Sequence, residues 1–318
     1  MCKNTIQFQK GIGIMAFLAN YGLEEQCEAA LFSWRWPNGF QCPNCSSHTH
    51  CLLHRKAKYQ CNRCHHQASL TSGTLFDSTK LPLKTWFLGI YLLTQNKAGI
   101  SALALHRQLG ISYNAAWRMK HKLMQAMMER DNHWQLSGWV QVDDAYWGGE
   151  RHGGRRGRGS ENKVPFVAAV QTDENNHPIF MRFNAVSSFQ RESIKEWAQH
   201  ALKQGTHVVT DGLSCFKGIA DAGCEHTAVV TGGGYASMSN ELFTWVNTML
   251  GNVKTALSGT YHKLAPKHLG RYLSEFNYRF NRRFDMPSMI GRLGKAVVNT
   301  APMPERLLKL PDVQWPIE

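Results

Sequence analysis

Hydrophobic positions along the chain keep two different periods. From Pro82 to about Met128 they recur at helical spacing. Leu83, Trp86, Phe87, Ile90, Tyr91 and Leu93 form one stripe, Gly99 interrupts it, and Leu103, Leu105, Leu109 and Ile111 form a second. Gly110 breaks the pattern. Ala115, Ala116, Trp117, Met119, Leu123 and Met127 resume it after a cap at Ser112 or Asn114. Short helices about a glycine predict a helix-turn-helix-like region over 76–132. From Gly138 the period falls to two. Trp139–Trp147, Val164–Thr172 and Ile179–Val186 read as strands and Ser188–Lys203 as a helix. His207–Thr210 is a short buried strand, His226–Thr231 another, and the chain turns helical again from about Asn240. Three strands followed by alternating helices and strands predict an α/β layered domain over 133–290, leaving 291–318 as a C-terminal tail. Ahead of these, residues 1–38 read as a helical lead-in, and 39–75 form a compact segment that closes at the turn Thr71-Ser72-Gly73-Thr74.

Composition narrows the class. The 318 residues are 43% hydrophobic and 19% charged, which suits two or three globular domains and excludes a disordered, collagenous or coiled-coil chain. No apolar run approaches the roughly 18 residues of a membrane helix. Gly11–Ala19 is short for a signal core, and Asn20, Tyr21 and Gly22 make a poor cleavage site. With 36 Lys and Arg against 23 Asp and Glu, the net charge is +13, which suits a polyanionic partner, nucleic acid first.

The charge is concentrated in three zones. Lys80 to Arg130 holds eight bases and one acid, and the second helix of the helix-turn-helix-like pair would carry Asn114, Arg118, Lys120, His121 and Lys122 toward a major groove. The glycine-rich loop from Arg151 to Lys163, with Arg155, Arg156 and Arg158, holds five bases against Glu161. Residues 251–300 hold nine bases and two acids, with Lys263, Arg282 and Arg283 among the candidates for a phosphate backbone. In that zone Tyr272, Phe276 and Phe280, four apart, read as a buried helical stripe rather than a base-stacking surface.

Nine cysteines scattered over the chain make a poor disulfide framework. Four stand apart as Cys42-Pro-Asn-Cys45 and Cys61-Asn-Arg-Cys64, with fifteen residues between the pairs. Two such turns present four thiolates and close a tetrahedral, structural Zn²⁺ site, a zinc ribbon. His48, His50, Cys51, His54, His65 and His66 lie nearby, but the cysteine set is complete without them. Free thiolates of this kind fit a reducing compartment.

Candidate chemistry lies in the layered domain. Asp143 sits inside the strand Val142-Asp143-Asp144-Ala145, where a carboxylate is costly unless solvated, paired or metal-bound. Asp144 is expected on the opposite face, since strand side chains alternate. Asp211 ends a second strand. Carboxylates from neighbouring strands suit Mg²⁺ or Mn²⁺, and a pair of such ions serves in-line phosphodiester displacement. Asn247, with 35 residues between it and Asp211, is the candidate third ligand, and Lys254, seven further on, shares its helical face. Glu241 is the carboxylate alternative. On pattern alone, Asp-Gly after a strand is also an ordinary turn.

These residues carry a resemblance. The segments Trp36-Pro37-Asn38-Gly39-Phe40-Gln41-Cys42-Pro43-Asn44-Cys45, Cys61-Asn62-Arg63-Cys64, Val142-Asp143-Asp144-Ala145-Tyr146-Trp147-Gly148-Gly149, Thr210-Asp211-Gly212, Trp245 to Lys254, Gly259-Thr260-Tyr261-His262 and Arg271 to Arg283 occur in one order. Together they resemble the zinc-ribbon, DDE-type transposases of bacterial insertion sequences, relatives of the Merlin group, across nearly the whole chain. The resemblance implies an RNase H-like catalytic core with Asp143 and Asp211 as its acids, and DNA strand cleavage and transfer at element ends. It also implies an oligomer on DNA and a bacterial cytoplasmic setting. Where other branches carry a third Glu, this chain has Asn247, an Asp-Asp-Asn variant, and Leu250 stands at a Glu position of further branches. Two other functions share these features: a zinc-dependent DNA-binding protein with an inactive nuclease core, and a structure-selective nuclease that cuts without joining.

Overall fold

The computed structural model describes residues 10–53, 58–148, 163–230, 241–261 and 264–311. The chain divides into two compact units, one of Met1–Ala126 with Phe284–Lys309 and one of Met127–Arg283 with Leu310–Glu318.

In the first unit, α1 (Ile14–Tyr21) and α2 (Glu24–Arg35) precede a small antiparallel sheet of β1 (His50–Leu53), β2 (Lys58–Cys61) and β3 (Gln67–Ala68). Its core is only Trp36, Phe40, Cys42 and Cys61, with Phe32 and Tyr59 packed alongside. So little apolar mass does not hold a fold by itself. Helix α3 (Leu83–Gln95) begins after Pro82, which offers no side-chain cap. The Glu24 carboxylate supplies one from α2, accepting the Leu83 and Lys84 N–H groups at 2.6 and 3.0 Å. Ser101 caps α4 (Ala102–Leu109) through the Ala104 N–H, and the helix stops at Gly110 with φ +64°. Helix α5 (Tyr113–Asn132) follows, with Ser112 Oγ accepting the Ala115 N–H at 3.2 Å. Of the two candidate caps, Ser112 is the one used, and α4 and α5 follow one another across Gly110.

The second unit holds β4 (Trp139–Trp147), β5 (Val164–Thr172), β6 (Pro178–Ala185), α6 (Arg191–Ala201), β7 (His207–Thr210), α7 (Lys217–Asp221), β8 (Glu225–Ala228), α8 (Thr244–Tyr261) and α9 (Leu269–Asn281). The sheet order is β6-β5-β4-β7-β8. Strands β4, β5 and β6 are antiparallel, and β7 and β8 add in parallel on the other side of β4. This is the RNase H-like arrangement, as expected. The two faces have separate cores. Val140, Val142, Val167, Ala169 and Val208 pack on Ile194, Trp197, Phe216 and Ile219 of the α6–α7 side. Ala145, Phe166, Ala168, Val170 and Val209 pack on Val246, Leu250, Val253, Leu273 and Phe276 of α8 and α9. Strand β4 therefore turns Val140 and Val142 to one face and Gln141, Asp143 and Ala145 to the other. Among the described residues, no helix is long and apolar enough to cross a membrane.

Strand β6 is an edge, and an edge exposes unpaired backbone groups. Helix α9 pairs them with side chains. Asn277 accepts the Phe183 N–H and donates to the Phe183 carbonyl, both at 3.0 Å. Asn281 does the same at Met181, at 2.8 and 2.9 Å. Arg283 adds guanidinium bonds to the Ile179 and Pro178 carbonyls. Two amides, one helical turn apart, thus stand in for a sixth strand.

Residues 291–318, left as a tail in the sequence reading, include part of a packed helix. Helix α10 (Met289–Asn299) buries Met289, Ile290, Leu293, Val297 and Val298 in the first unit, and a short α11 (Glu305–Leu308) follows. A Cβ on Gly294 would lie 2.1 Å from the Trp34 ring, so only glycine admits the approach of α10 to α2. A kinked 3-10 stretch, Arg283–Ser288, separates the apolar stripe of α10 from that of α9.

The edge clamp predicts the behaviour of one variant. Asn277→Ala leaves the buried Phe183 N–H and carbonyl unpaired, and urea unfolding is expected to show a loss of about 2–4 kcal/mol. The corresponding loss for the more exposed Asn281→Ala is expected to be smaller.

Candidate metal sites

The four cysteine sulfurs converge as the spacing implies. Cys42 Sγ lies 3.6 Å from Cys64 Sγ, Cys45 Sγ lies 3.6 Å from Cys61 Sγ, and all four fall within 4.8 Å of one another. A tetrahedron of sulfurs at the usual Zn–S bond length has edges of about 3.8 Å, so the set fits zinc. The two turns are built alike. The Ser46 N–H bonds to the Cys42 carbonyl and the His65 N–H to the Cys61 carbonyl, at 2.9 and 3.0 Å. Ser46 and His65 adopt φ of 57° and 58°, which bends each chain back past its pair of sulfurs. Backbone N–H groups also favour thiolates: the His66 amide chiefly lowers Cys64 to about 6, and the Cys64 amide chiefly lowers Cys61. His48 bonds the Phe40 carbonyl through Nδ1 at 3.1 Å, His50 packs on the Phe40 and Tyr59 rings, and Cys51 is exposed on β1. His54 lies outside the described residues.

The acidic site forms at one end of the second sheet. Pairing of β4 with β7 sets Gln141 against Val209, so Asp143 and Asp211, each two residues on, emerge side by side. The oxygens of Asp143, Asp144 and Asp211 lie within 4.8 Å of one another. Asp211 is fixed by a tight turn in which its Oδ1 accepts the Leu213 N–H at 3.1 Å and Gly212 takes φ +87°. Thr210, just before it, shares a 2.8 Å hydrogen bond with His226 Nε2 of β8.

Asp144 corrects an expectation. Strict alternation sends it to the far face, yet its carboxylate reaches the other two. Strand β7 pairs with β4 only as far as Gln141, whereas β5 still pairs Asp144 with Val167, so at this residue β4 is open on the β7 side alone.

Asp143 carries the electrostatic signature of the site. Burial raises its pKa to about 7, with the negative charges of Asp144 and Asp211 adding to the rise; the Asp144 N–H, donating to its Oδ1 at 2.9 Å, and the Lys254 ammonium act the other way. Clustered hard oxygens that repel one another suit a small divalent cation, which relieves the repulsion. Lys254 and Asn247 both lie half-buried on α8, which packs over β4 and β5. The structure thus brings Asp143, Asp211 and Asp144 together with the charge of Lys254 nearby. Among the described residues, the Asn247 amide makes no hydrogen bond to the carboxylates, and Glu241 is exposed in the turn before α8.

Several bases read as DNA contacts have other surroundings. Lys120 is buried in α5, whose residues 119–128 are enclosed almost all round. Lys122 donates to the Leu75 carbonyl at 2.8 Å, and burial lowers its pKa. Arg282 pairs with Asp131 at 2.6 Å and stacks 3.7 Å from the Tyr278 ring centre. Arg283 belongs to the edge clamp and lies over Phe280. Charge patterning counts bases but not their surroundings: Lys120 is buried, and Lys122, Arg282 and Arg283 are each held by a group of the protein. Arg118 is exposed and pairs with Glu305 at 3.0 Å. Arg155, Arg156, Arg158 and Lys263 lie outside the described residues.

A four-cysteine ribbon ahead, in sequence, of an RNase H-like sheet with an acidic rim is the arrangement that a zinc-ribbon transposase of the DDE type would have. Residues 135–281 match the ISXO2-like transposase domain, and residues 22–67 match the transposase zinc-ribbon domain. The chain is similar to an uncharacterized protein in transposable element ISH50 of Halobacterium salinarum, 26% identical over 211 residues that cover 61% of this chain and 69% of the relative. Among solved structures it matches the Mos1 strand transfer complex at 12% identity and TM-score 0.24, over 62% of this chain and 76% of the other. It also matches a pre-cleavage Mos1 transpososome at 9% identity and TM-score 0.20, over 62% and 77%.

Zinc content tests the ribbon. The purified protein is expected to hold about one zinc per chain by elemental analysis. Cys61→Ser is expected to lose the metal and melt earlier, whereas Cys51→Ser, outside the sulfur cluster, keeps it.

Proposed function

We propose that the protein is a DNA transposase that cuts and joins strands at the ends of its element through a divalent-metal site on the β4–β7 rim. The observation that carries this reading is the convergence of Asp143, Asp144 and Asp211 inside the segment that matches the transposase domain. Asp143 and Asp211 hold Mg²⁺ or Mn²⁺, and the amide oxygen of Asn247 is the ligand offered by α8. When bound, the cations supply Lewis-acid activation of a water or 3′ hydroxyl and neutralise charge on the leaving oxygen. In the joining step a new bond forms between phosphorus and the attacking 3′ oxygen, while the bond from phosphorus to the displaced strand's oxygen breaks.

The chain's own residues position the nucleic acid. Lys254, close enough to lower the pKa of Asp143, sets an ammonium beside the scissile phosphate. The ribbon and the α4–α5 pair recognise element ends, with the exposed Tyr113, Asn114 and Arg118 at the start of α5 as the groove-facing side chains. The basic residues Arg155, Arg156, Arg158 and Lys263 add to a net charge of +13 that favours the phosphate backbone. Joining two element ends calls for an oligomer of the chain on DNA, a dimer or more.

The test is strand cleavage and joining by purified protein on terminal-repeat DNA with Mg²⁺ or Mn²⁺. Asp143→Asn and Asp211→Asn are each expected to lower both steps by about a thousandfold or more, several kcal/mol of transition-state stabilisation. Retained activity in either variant removes the site assignment. Tight, salt-sensitive DNA binding without cleavage marks an inactive nuclease core, and cutting of branched DNA without joining marks a structure-selective nuclease.

A further inference from the structure

A buried amide needs partners, and Gln141 finds them on the helix that faces the acidic site. It lies on β4, two residues before Asp143 and on the same face, and is 1% exposed. Around it the sheet meets α8 through apolar side chains such as Val209, Phe243 and Val246. Its Oε1 accepts two backbone N–H groups, from Trp245 at 3.0 Å and Val246 at 3.1 Å. Both belong to the first turn of α8, where N–H groups have no partner within the helix. The helix takes its cap from another element, the strand that carries Asp143.

The other end of the amide joins a third element. Gln141 Nε2 donates to Asn176 Oδ1 at 3.5 Å, in the turn between β5 and β6, and the Trp245 indole N–H donates to the Asn176 carbonyl. Strand, turn and helix start are latched at one point. Asn247 follows Trp245 by two residues, and Lys254 lies two turns along the same face. A helix is stiff over that length, so any shift at its capped end is carried to both side chains.

We propose that Gln141 is the positioning residue that sets α8 against the carboxylate strand, and so fixes the geometry in which metal is held. This rests on the metal reading of the acidic site. It predicts that the amide governs metal affinity through α8 without touching the ion. A residue that only fills the core would affect stability alone.

The test is Mn²⁺ binding to the full-length protein without DNA, followed by electron paramagnetic resonance, beside the metal dependence of strand cleavage. Gln141→Met keeps the volume and removes the acceptor. Gln141→Asn keeps the amide, withdraws it by about one bond length, and serves if the first variant does not fold. Either variant is expected to keep a folded circular dichroism spectrum and to weaken Mn²⁺ affinity about ten- to a hundredfold, as loss of an outer-shell partner does. The Mg²⁺ concentration for half-maximal cleavage is expected to rise with it, while the rate at saturating metal falls less. Mn²⁺ affinity within about twofold of the wild type in a folded variant, set against that expected loss, overturns the proposal and leaves the metal reading intact. Absence of Mn²⁺ binding by the wild-type protein overturns both.

Discussion

Three carboxylates held at one partly buried rim repel one another, and the acidic end of the second unit is organised around that repulsion. Like charges within about 5 Å cost a few kcal/mol at the effective dielectric of a protein edge. At Asp143 the repulsion adds to a larger effect of burial, and together they push its pKa to about 7. Solvent alone would relieve such a cluster if the side chains faced outward. They face one another instead, and Lys254 supplies the one positive charge that counts among the causes of the Asp143 shift. A divalent cation is the remaining counter-charge of the right size for clustered hard oxygens.

The fold answers the repulsion with stiffness rather than distance. Parallel pairing of β4 and β7 delivers Asp143 and Asp211 at the same level, and the turn at Gly212 keeps the second carboxylate from swinging away. On the helical side the cap at Gln141 ties α8 to the same strand. At the far edge of the sheet, Asn277 and Asn281 close β6. Buried amides do the same job in both places: each meets backbone groups that neither helix nor sheet can pair by itself. Backbone satisfaction and site geometry are thus one problem in this unit.

Much of this was legible in the sequence because it rests on short-range pattern. The strand limits Trp139–Trp147, Val164–Thr172 and His207–Thr210 follow from apolar runs bounded by turns, and the four sulfurs follow from the spacing of two CxxC pairs. What escaped was tertiary. Gln141 alternates with Val140 and Val142 as an outward-facing residue would, yet the face it shares with Asp143 is covered by α8. The reach of Asp144 depends on where β7 stops, which no local pattern states. Asn277 and Asn281 sit in a stretch rich in bases and aromatics, where charge drew the reading toward DNA. The helix Met289–Asn299 has a clear apolar stripe, hidden by the kinked turn ahead of it.

The fate of the bases changes what a net charge of +13 means. Lys120, Lys122, Arg282 and Arg283 are buried, pinned to carbonyls or paired with acid inside their units. An arginine so placed does not release counterions from a phosphate backbone, and affinity for DNA follows the charges that do. The electrostatic footprint is therefore smaller than composition suggests and more local. Near the acidic rim this locality is useful. Under the proposed function, a broad positive field would draw phosphates everywhere on the unit, whereas the Lys254 ammonium, close to a carboxylate cluster that repels anions without metal, would favour a phosphate where cations are bound. On that reading, nucleic acid and metal bound at that rim would be coupled by charge, each raising the affinity for the other.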